Sequence, residues 1–394
     1  VPDEPFNLKG IAVAAYGPSL LYGVATGAIL PVIALSARDL GASVAVAALI
    51  ITLTGVGSLA TNIPATMITS RFGERWALVG AALWCSTAMI VAAFATQLWV
   101  FALAIFMVGM AGSVFGLARQ SYLTEAVPLY FRARALSTLG GVTRIGVFIG
   151  PFLAAGVMAL VGISGAYWVG AAATLVAAVL SVRVPDLGAP SRRTGIERIP
   201  PPTVRYVLRG HMKVFLTIGV GVLLIAAVRA TRQGVLPLWA ESIGLDASAT
   251  ALIYGLSGAV DMLIFYPAGK VMDVKGRVWT AVPCMAIMAA ALVVIPFTAG
   301  PGWFTAAALL IGFGNGVGSG IVMTLGADYS PSPGRPQFLG IWRFISDLGT
   351  MAGPGLLSLI TAIASLAVGI WAAAGIGVLA AVVLGYWIPR VRRP

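Results

Sequence analysis

The chain has 394 residues, 59% of them hydrophobic and 10% charged, with a mean hydropathy of +0.97. A soluble domain carries about 25% charged residues, so the composition excludes an ordinary soluble enzyme, a disordered chain and a disulfide scaffold. The net charge of +12 comes from 25 Lys+Arg, 21 of them Arg, against 13 Asp+Glu; most of it falls in short loops, which points to membrane topology rather than nucleic acid.

Apolar runs of roughly 20 residues mark membrane-crossing helices. They predict spans 1 to 6 near 11–36, 44–69, 75–95, 98–124, 136–160 and 165–183. Spans 7 to 12 follow near 214–238, 247–271, 278–298, 303–327, 338–363 and 367–388. The first run is too long for a signal-peptide core, so no cleaved leader is expected. Between the sets, 185–213 reads as a polar, basic, cytoplasmic linker holding Arg192, Arg193, Arg198, Arg205, Arg209, Lys213 and the run Pro200-Pro201-Pro202. The expected domains are therefore 1–184, a six-helix bundle, and 214–394, a second one.

Charge sets the orientation. With a cytoplasmic N-terminus, the inside loops carry Arg71 and Arg75, Arg132 and Arg134, the linker, Lys275 and Arg277, Arg335, and Arg390, Arg392 and Arg393. The outside loops hold only Arg38 with Asp39, then Glu241 and Asp246. Positive charge stays inside, and an even number of spans places both termini there, in a cell inner or plasma membrane.

Shifted by 203 residues, the halves match without a gap over a long stretch. Gly41 falls on Gly244, Gly55 on Gly258, Pro64 on Pro267, Gly73 on Gly276, Trp76 on Trp279 and Gly109 on Gly312. Farther on, Glu125 meets Asp328, Pro128 meets Pro331, Arg132 meets Arg335, and Gly150-Pro151 meets Gly353-Pro354. Apolar bias alone aligns Ala, Val and Leu; it does not align Pro, Trp and charge in order. Six plus six helices in one orientation are parallel repeats about an axis along the membrane normal.

Two motifs carry a family resemblance. The loop after span 8 reads Gly269-Lys270-Val271-Met272-Asp273-Val274-Lys275-Gly276-Arg277, a G-x-x-x-D-x-x-G-R pattern. Its glycines allow a tight cytoplasmic turn and close helix approach; Asp273 is placed to cap or face a helix N-terminus, and Arg277 to pair with a neighbouring acid such as Asp328. The first-half copy is degraded, with Thr66, Ser70, Gly73 and Glu74 where Gly, Asp, Gly and Arg are expected. Span 5 carries Gly146-Val147-Phe148-Ile149-Gly150-Pro151, then Ala154-Ala155. The chain resembles the major facilitator superfamily over essentially its whole length, and the span 5 motif is similar to the G-x-x-x-G-P core of twelve-span drug/proton antiporters. The resemblance implies an all-α membrane protein, twelve helices in two pseudo-symmetric bundles, that works by alternating access and favours export. Proton-coupled relatives often carry an Arg four residues before the span 4 glycine. Ile105 stands there, so the resemblance implies no coupling through that position.

Ionisable groups inside a span are costly and usually face a wet cavity or a partner. They are Arg119, Arg144, Arg229, Arg232, Asp261, Arg343 and Asp347. Arg144 and Asp347 are repeat-equivalent and opposite in sign, a possible gate between the halves; Asp347 is also four residues from Arg343, the spacing of a local pair. Asp261 is a candidate protonatable carboxylate or a structural partner of Arg229. Arg229 and Arg232 share a face and either contact an anionic group or, for Arg232, snorkel outward. The five Arg against two Asp lean toward an anionic or zwitterionic substrate. Tyr16, Asn62, Tyr254 and Asn315 either line a cavity or bond helix to helix. The run Gly312 to Gly320 reads as close helix packing, not a phosphate loop. Cys85 and Cys284 lie in apolar runs, and His211 in the linker; no metal site, cofactor or catalytic motif is expected. The function expected is proton-coupled efflux of an amphipathic small molecule by a monomer; the alternative is movement of an anionic lipid or organic anion.

Overall fold

A computed structural model of the chain describes residues 8–127, 132–184, 203–331 and 334–391. Most of the expected linker, including Arg192, Arg193 and Arg198, lies outside the described residues, as do Pro128, Arg392, Arg393 and the side chains of Arg132 and Arg134.

Every described element is helical, as a lipid-facing backbone with no water to satisfy its amides requires. Span 1 is α1 (Leu8–Ile29) with α2 (Ile33–Asp39), bent by 42°. Spans 2 and 3 run together as α3 (Val44–Ala93), turned at Gly73. α4 (Leu98–Ala126), α5 (Arg132–Val161) and α6 (Gly165–Val182) complete the first half. After α7 (Val204–Gly210), α8 (Met212–Val214) passes through a π-helical turn, Phe215–Gly219, into α9 (Val220–Ser242). α10 (Ala247–Lys275) and α11 (Val278–Val294) are spans 8 and 9, and α12 (Pro301–Val317) with α13 (Ile321–Tyr329) is span 10. α14 (Arg335–Ile363) and α15 (Leu366–Trp387) are spans 11 and 12. By length and composition, 10 described helices suffice to cross a membrane, or 11 with the bent pair counted as one span. α14 is the twelfth; its first half carries Arg335, Arg343 and Asp347.

The chain forms two compact units. One holds Val1–Gly41, Leu53–Thr194 and Ala247–Gly255; the other holds Ala42–Thr52, Gly195–Asp246 and Leu256–Pro394. The two short segments, 42–52 and 247–255, are nearly repeat-equivalent.

The 203-residue register reappears in the packing of each unit. In the first, a Cβ on Gly109 would collide with the Thr54 carbonyl oxygen; in the second, one on Gly312 would collide with that of Ser257, 203 residues on. Gly146 and Gly150 of α5 lie against Leu20 and Val24 of α1, while Gly349 and Gly353 of α14 lie against Leu223 and Ala227 of α9. Apolar burial does not drive helices together in lipid, so such small-residue contacts, where backbones approach closely, supply the adhesion. Pro151 and Pro354 follow the last glycine of each set and lie inside their helices.

The turns repeat too. Gly41 and Gly244 have φ of 85° and 82°, and Gly73 and Gly276 have 79° and 96°. A side chain in that left-handed region costs roughly 1–2 kcal/mol, which accounts for glycine at both copies.

Candidate functional site

The second unit brings chemistry from four spans to one place. Arg229 lies near the middle of the α8–α9 span. Its Nη2 donates to the Gly318 carbonyl at 2.7 Å and lies 3.9 Å from Cys284 Sγ of α11. Span 10 breaks there: α12 ends at Val317, Gly320 takes φ of 81°, and α13 restarts at Ile321, whose N–H also donates to the Gly318 carbonyl at 3.1 Å. Close packing, the sequence reading of the glycine run, extends to Gly318. Gly312, Gly314, Gly316 and Gly318 seat against Ser257, Met288, Asp261 and Cys284, and the helix interrupts at that last contact. Irregular backbone at membrane depth is tolerated where protein or a wet cavity surrounds it, and here a guanidinium adds a second hydrogen bond to the carbonyl at the break.

Asp261 of α10 is joined to the same strip. Asn315 Nδ2 donates to Asp261 Oδ2 at 2.6 Å, and Asp261 Oδ1 is buried without a hydrogen-bond partner. The ion pair weighed between Arg229 and Asp261 does not form: among the described residues no carboxylate lies within ion-pair distance of Arg229. The acid takes a neutral amide and the base a neutral carbonyl. Arg229 Nε is also buried and unbonded.

Arg229 faces a cleft of about 220 Å³ within this unit, lined also by Ile225, Gln233, Val322, Ser346 and Thr350. Its wall is therefore one cation, one amide, two hydroxyls and apolar carbon. Arg232, one turn farther along α9, is half-buried. Asp347, beside Ser346, has its Oδ2 3.8 Å from Arg343 Nε in the local i, i+4 arrangement.

The other sequence candidates are placed as follows. Tyr16 is buried in the first unit's core with Phe115, Ala118 and Tyr122, and its hydroxyl donates to the Ala135 carbonyl at 3.4 Å. Asn62 Oδ1 accepts from Ser113 at 2.6 Å, a bond between spans 2 and 4. Arg119 donates to Thr143 at 2.9 Å, linking α4 to α5. Tyr254 is buried, and Arg144 is half-buried on α5.

At the loop after span 8, Arg277 holds Asp328 of α13 with two bonds, 2.8 and 3.2 Å, and reaches Asp273 at 3.7 Å. The hydrogen bonds from Arg277 to Asp328 push the guanidinium's pKa further above its usual value. Gly269, also in the motif, has nothing within 4 Å of where a Cβ would stand, so its place in the pattern is not one of close approach.

Sequence reasoning missed Gln233, Ser346, Thr350, Cys284 and Gly318. Gln233 alone carried a usable signal, as an amide one residue beyond Arg232 and four beyond Arg229, on the face they share.

Helical units of repeated topology, with buried charge and a mid-span helix break, fit a membrane transporter. The family model of the Major Facilitator Superfamily matches residues 19–333 and, in a second match, 219–394; the chain belongs to that superfamily. No curated protein sequence matches it significantly. Among solved structures, it is similar to a POT family transporter in complex with a thioalcohol-conjugated peptide, with a TM-score of 0.78, 10% identity, and 97% of this chain and 96% of that one covered. It is similar to the human organic anion transporter MFSD10 (TETRAN), with a TM-score of 0.69, 15% identity, and coverage of 96% and 100%. A D-xylose–proton symporter gives a TM-score of 0.73, 17% identity, and coverage of 96% and 97%. At these identities the likeness establishes the fold.

Proposed function

We propose that the protein is a proton-coupled secondary transporter, working by alternating access and exporting an amphipathic small molecule that carries an anionic group. The carrying observation is Arg229, which lines the cleft while its own bonds go to neutral groups. A cation so held keeps its charge available to a ligand, and hydrogen bonds to charged groups are about twice as strong as neutral ones. The hydroxyls of Ser346 and Thr350 and the amide of Gln233 orient a polar head, and Ile225 and Val322 accept an apolar body. The similarity to an organic anion transporter supports the same reading.

Coupling is assigned to Asp261. Its unbonded Oδ1 is where a proton adds, and Asn315 and the Gly316–Gly318 segment connect it to the carbonyl that holds Arg229. Protonation changes the hold of that segment on Arg229 and so biases the inward/outward equilibrium. Asp347, paired to Arg343, is the second proton candidate. Export follows from the resemblance of the Gly146 to Pro151 segment to drug/proton antiporters. The membrane is a cell inner or plasma membrane with both termini cytoplasmic, and the protein acts as a monomer.

The test is transport of anionic and cationic amphiphiles by the purified protein in vesicles, with and without a pH gradient. Asp261→Asn is expected to abolish gradient-driven transport and keep exchange, while Arg229→Ala removes transport of anions selectively. Full gradient response in both Asp261→Asn and Asp347→Asn refutes proton coupling through these acids; equal loss of anions and cations in Arg229→Ala refutes the anion site.

A further inference from the structure

The first unit has a second cavity, unrelated to the cleft at Arg229. It is an open groove of about 370 Å³ between spans 2, 3 and 4, and its lining is almost wholly apolar. Phe72, Trp76 and Trp84 form its outer wall and are 57%, 52% and 46% exposed. Val114 and Met110 of α4 line it too, and Gly80 leaves it open: a Cβ there meets nothing within 4 Å. From Trp76 to Trp84 the groove follows α3 for about 12 Å at 1.5 Å per residue, from the Gly73 turn toward the middle of the span.

Two arginines stand at the turn end. The Arg75 guanidinium lies 5.3 Å from the Trp76 ring centroid, and that of Arg71 lies 5.6 Å from the Phe72 ring. The acid on this turn, Glu74, accepts a hydrogen bond from Ser121 of α4 at 2.9 Å. Cations carried on the aromatic rings that wall an apolar trough match a molecule with a negative head and a hydrocarbon tail. The repeat-equivalent loop differs in sequence: its signature Asp273 and Arg277 fall on Ser70 and Glu74 here. The first-half turn therefore lacks the signature Asp and Arg and carries Arg71 and Arg75 where the second half has Val274 and Val278.

We propose that this groove is a binding site for an anionic phospholipid. Its phosphate is held by Arg71 and Arg75, and one acyl chain lies along Phe72, Trp76, Gly80 and Trp84. The lipid comes from the leaflet on the Arg71 side, which the positive-inside pattern makes the cytoplasmic one. There it braces spans 2 and 3 at the Gly73 turn.

The full-length protein, in detergent, is incubated with an equimolar mixture of phosphatidylglycerol and phosphatidylcholine, washed, and its retained lipid quantified. Wild type is expected to retain phosphatidylglycerol in preference by on the order of tenfold, the scale of two surface arginines acting on an anionic head. Arg71→Gln with Arg75→Gln abolishes the preference, and Arg71→Lys with Arg75→Lys keeps most of it. Gly80→Leu, whose side chain enters open space and so does not disturb the packing, lowers retention of both lipids several-fold. Lipid-free thermal unfolding of each variant identifies any that misfolds, and the Lys pair and Gly80→Leu then carry the decision. Equal retention of the two lipids by wild type overturns the proposal. So does undiminished phosphatidylglycerol retention in Gly80→Leu, the behaviour of lipid attached diffusely around the protein.

Discussion

Spans 4 and 10 occupy equivalent places in the two halves, and they have diverged at one depth. α4 runs unbroken from Leu98 to Ala126, whereas span 10 is split at Gly318 to Gly320. The residue equivalent to Gly318 is Phe115, which is fully buried and stacks on Tyr22 with ring centroids 4.3 Å apart and an interplanar angle of 12°. Arg229 corresponds to Thr26, and Thr26 spends its hydroxyl on the Tyr22 carbonyl of its own helix. The first unit thus fills with stacked rings the level at which the second breaks its helix, binds a guanidinium and opens a cleft. Three of the close glycine contacts recur in both, Gly109, Gly146 and Gly150 matching Gly312, Gly349 and Gly353. The two halves thus share these contacts and differ in the chemistry at this depth.

That comparison can be broken at its strongest contact first. Phe115→Ala is expected to destabilise the protein by about 3–5 kcal/mol, the cost of emptying a buried aromatic site, while leaving the preference for anions unchanged; thermal unfolding and vesicle transport read the two effects. Arg229→Ala should do the reverse, lowering anion transport by roughly 10- to 100-fold, the scale of 1.5–3 kcal/mol for a hydrogen bond to a charged group, with little change in unfolding temperature. Gly109→Val and Gly312→Val sharpen the shared part: each overpacks a helix contact for about 1–3 kcal/mol, and the two losses should agree closely. Gly320→Ala places a side chain at φ of 81° and should cost about 1–2 kcal/mol. The smallest effect is expected of Tyr22→Phe. It deletes a hydroxyl that lies 3.9 Å from Cys85 Sγ and keeps the ring stack, so the change should stay within about 0.5 kcal/mol.

The repeat and its register were legible because Gly, Pro and Trp are rare enough to punctuate an apolar text, and each marks a contact or turn that the other half needs as well. Gly150 and Gly353 illustrate this: neither contact tolerates a Cβ, so both positions announce themselves. Arg229, Asp261 and Asn315 were legible as polar residues where polarity is costly. Their partners were not. A main-chain carbonyl such as that of Gly318 has no letter of its own, and a glycine run inside an apolar span looks the same whether the helix packs tightly or breaks. Nor does sequence distinguish Asn62, which bonds Ser113 between helices, from Asn315, which bonds a carboxylate. Only the neighbour across the interface separates them. The groove beneath Trp76 was equally hidden, since it exists only where three spans stand side by side.

The tether of Arg229 to a peptide oxygen has an electrical consequence. A side chain matched by a carboxylate is neutralised where it stands, but Arg229 and Asp261 stay separate within one unit, so a proton gained by Asp261 leaves that unit one positive charge richer. Across a membrane potential that is worth about 2.3 kcal/mol per elementary charge per 100 mV if the full thickness is crossed. On the function proposed above, an anion held at Arg229 would offset that charge, and the empty and loaded carriers would then respond differently to voltage.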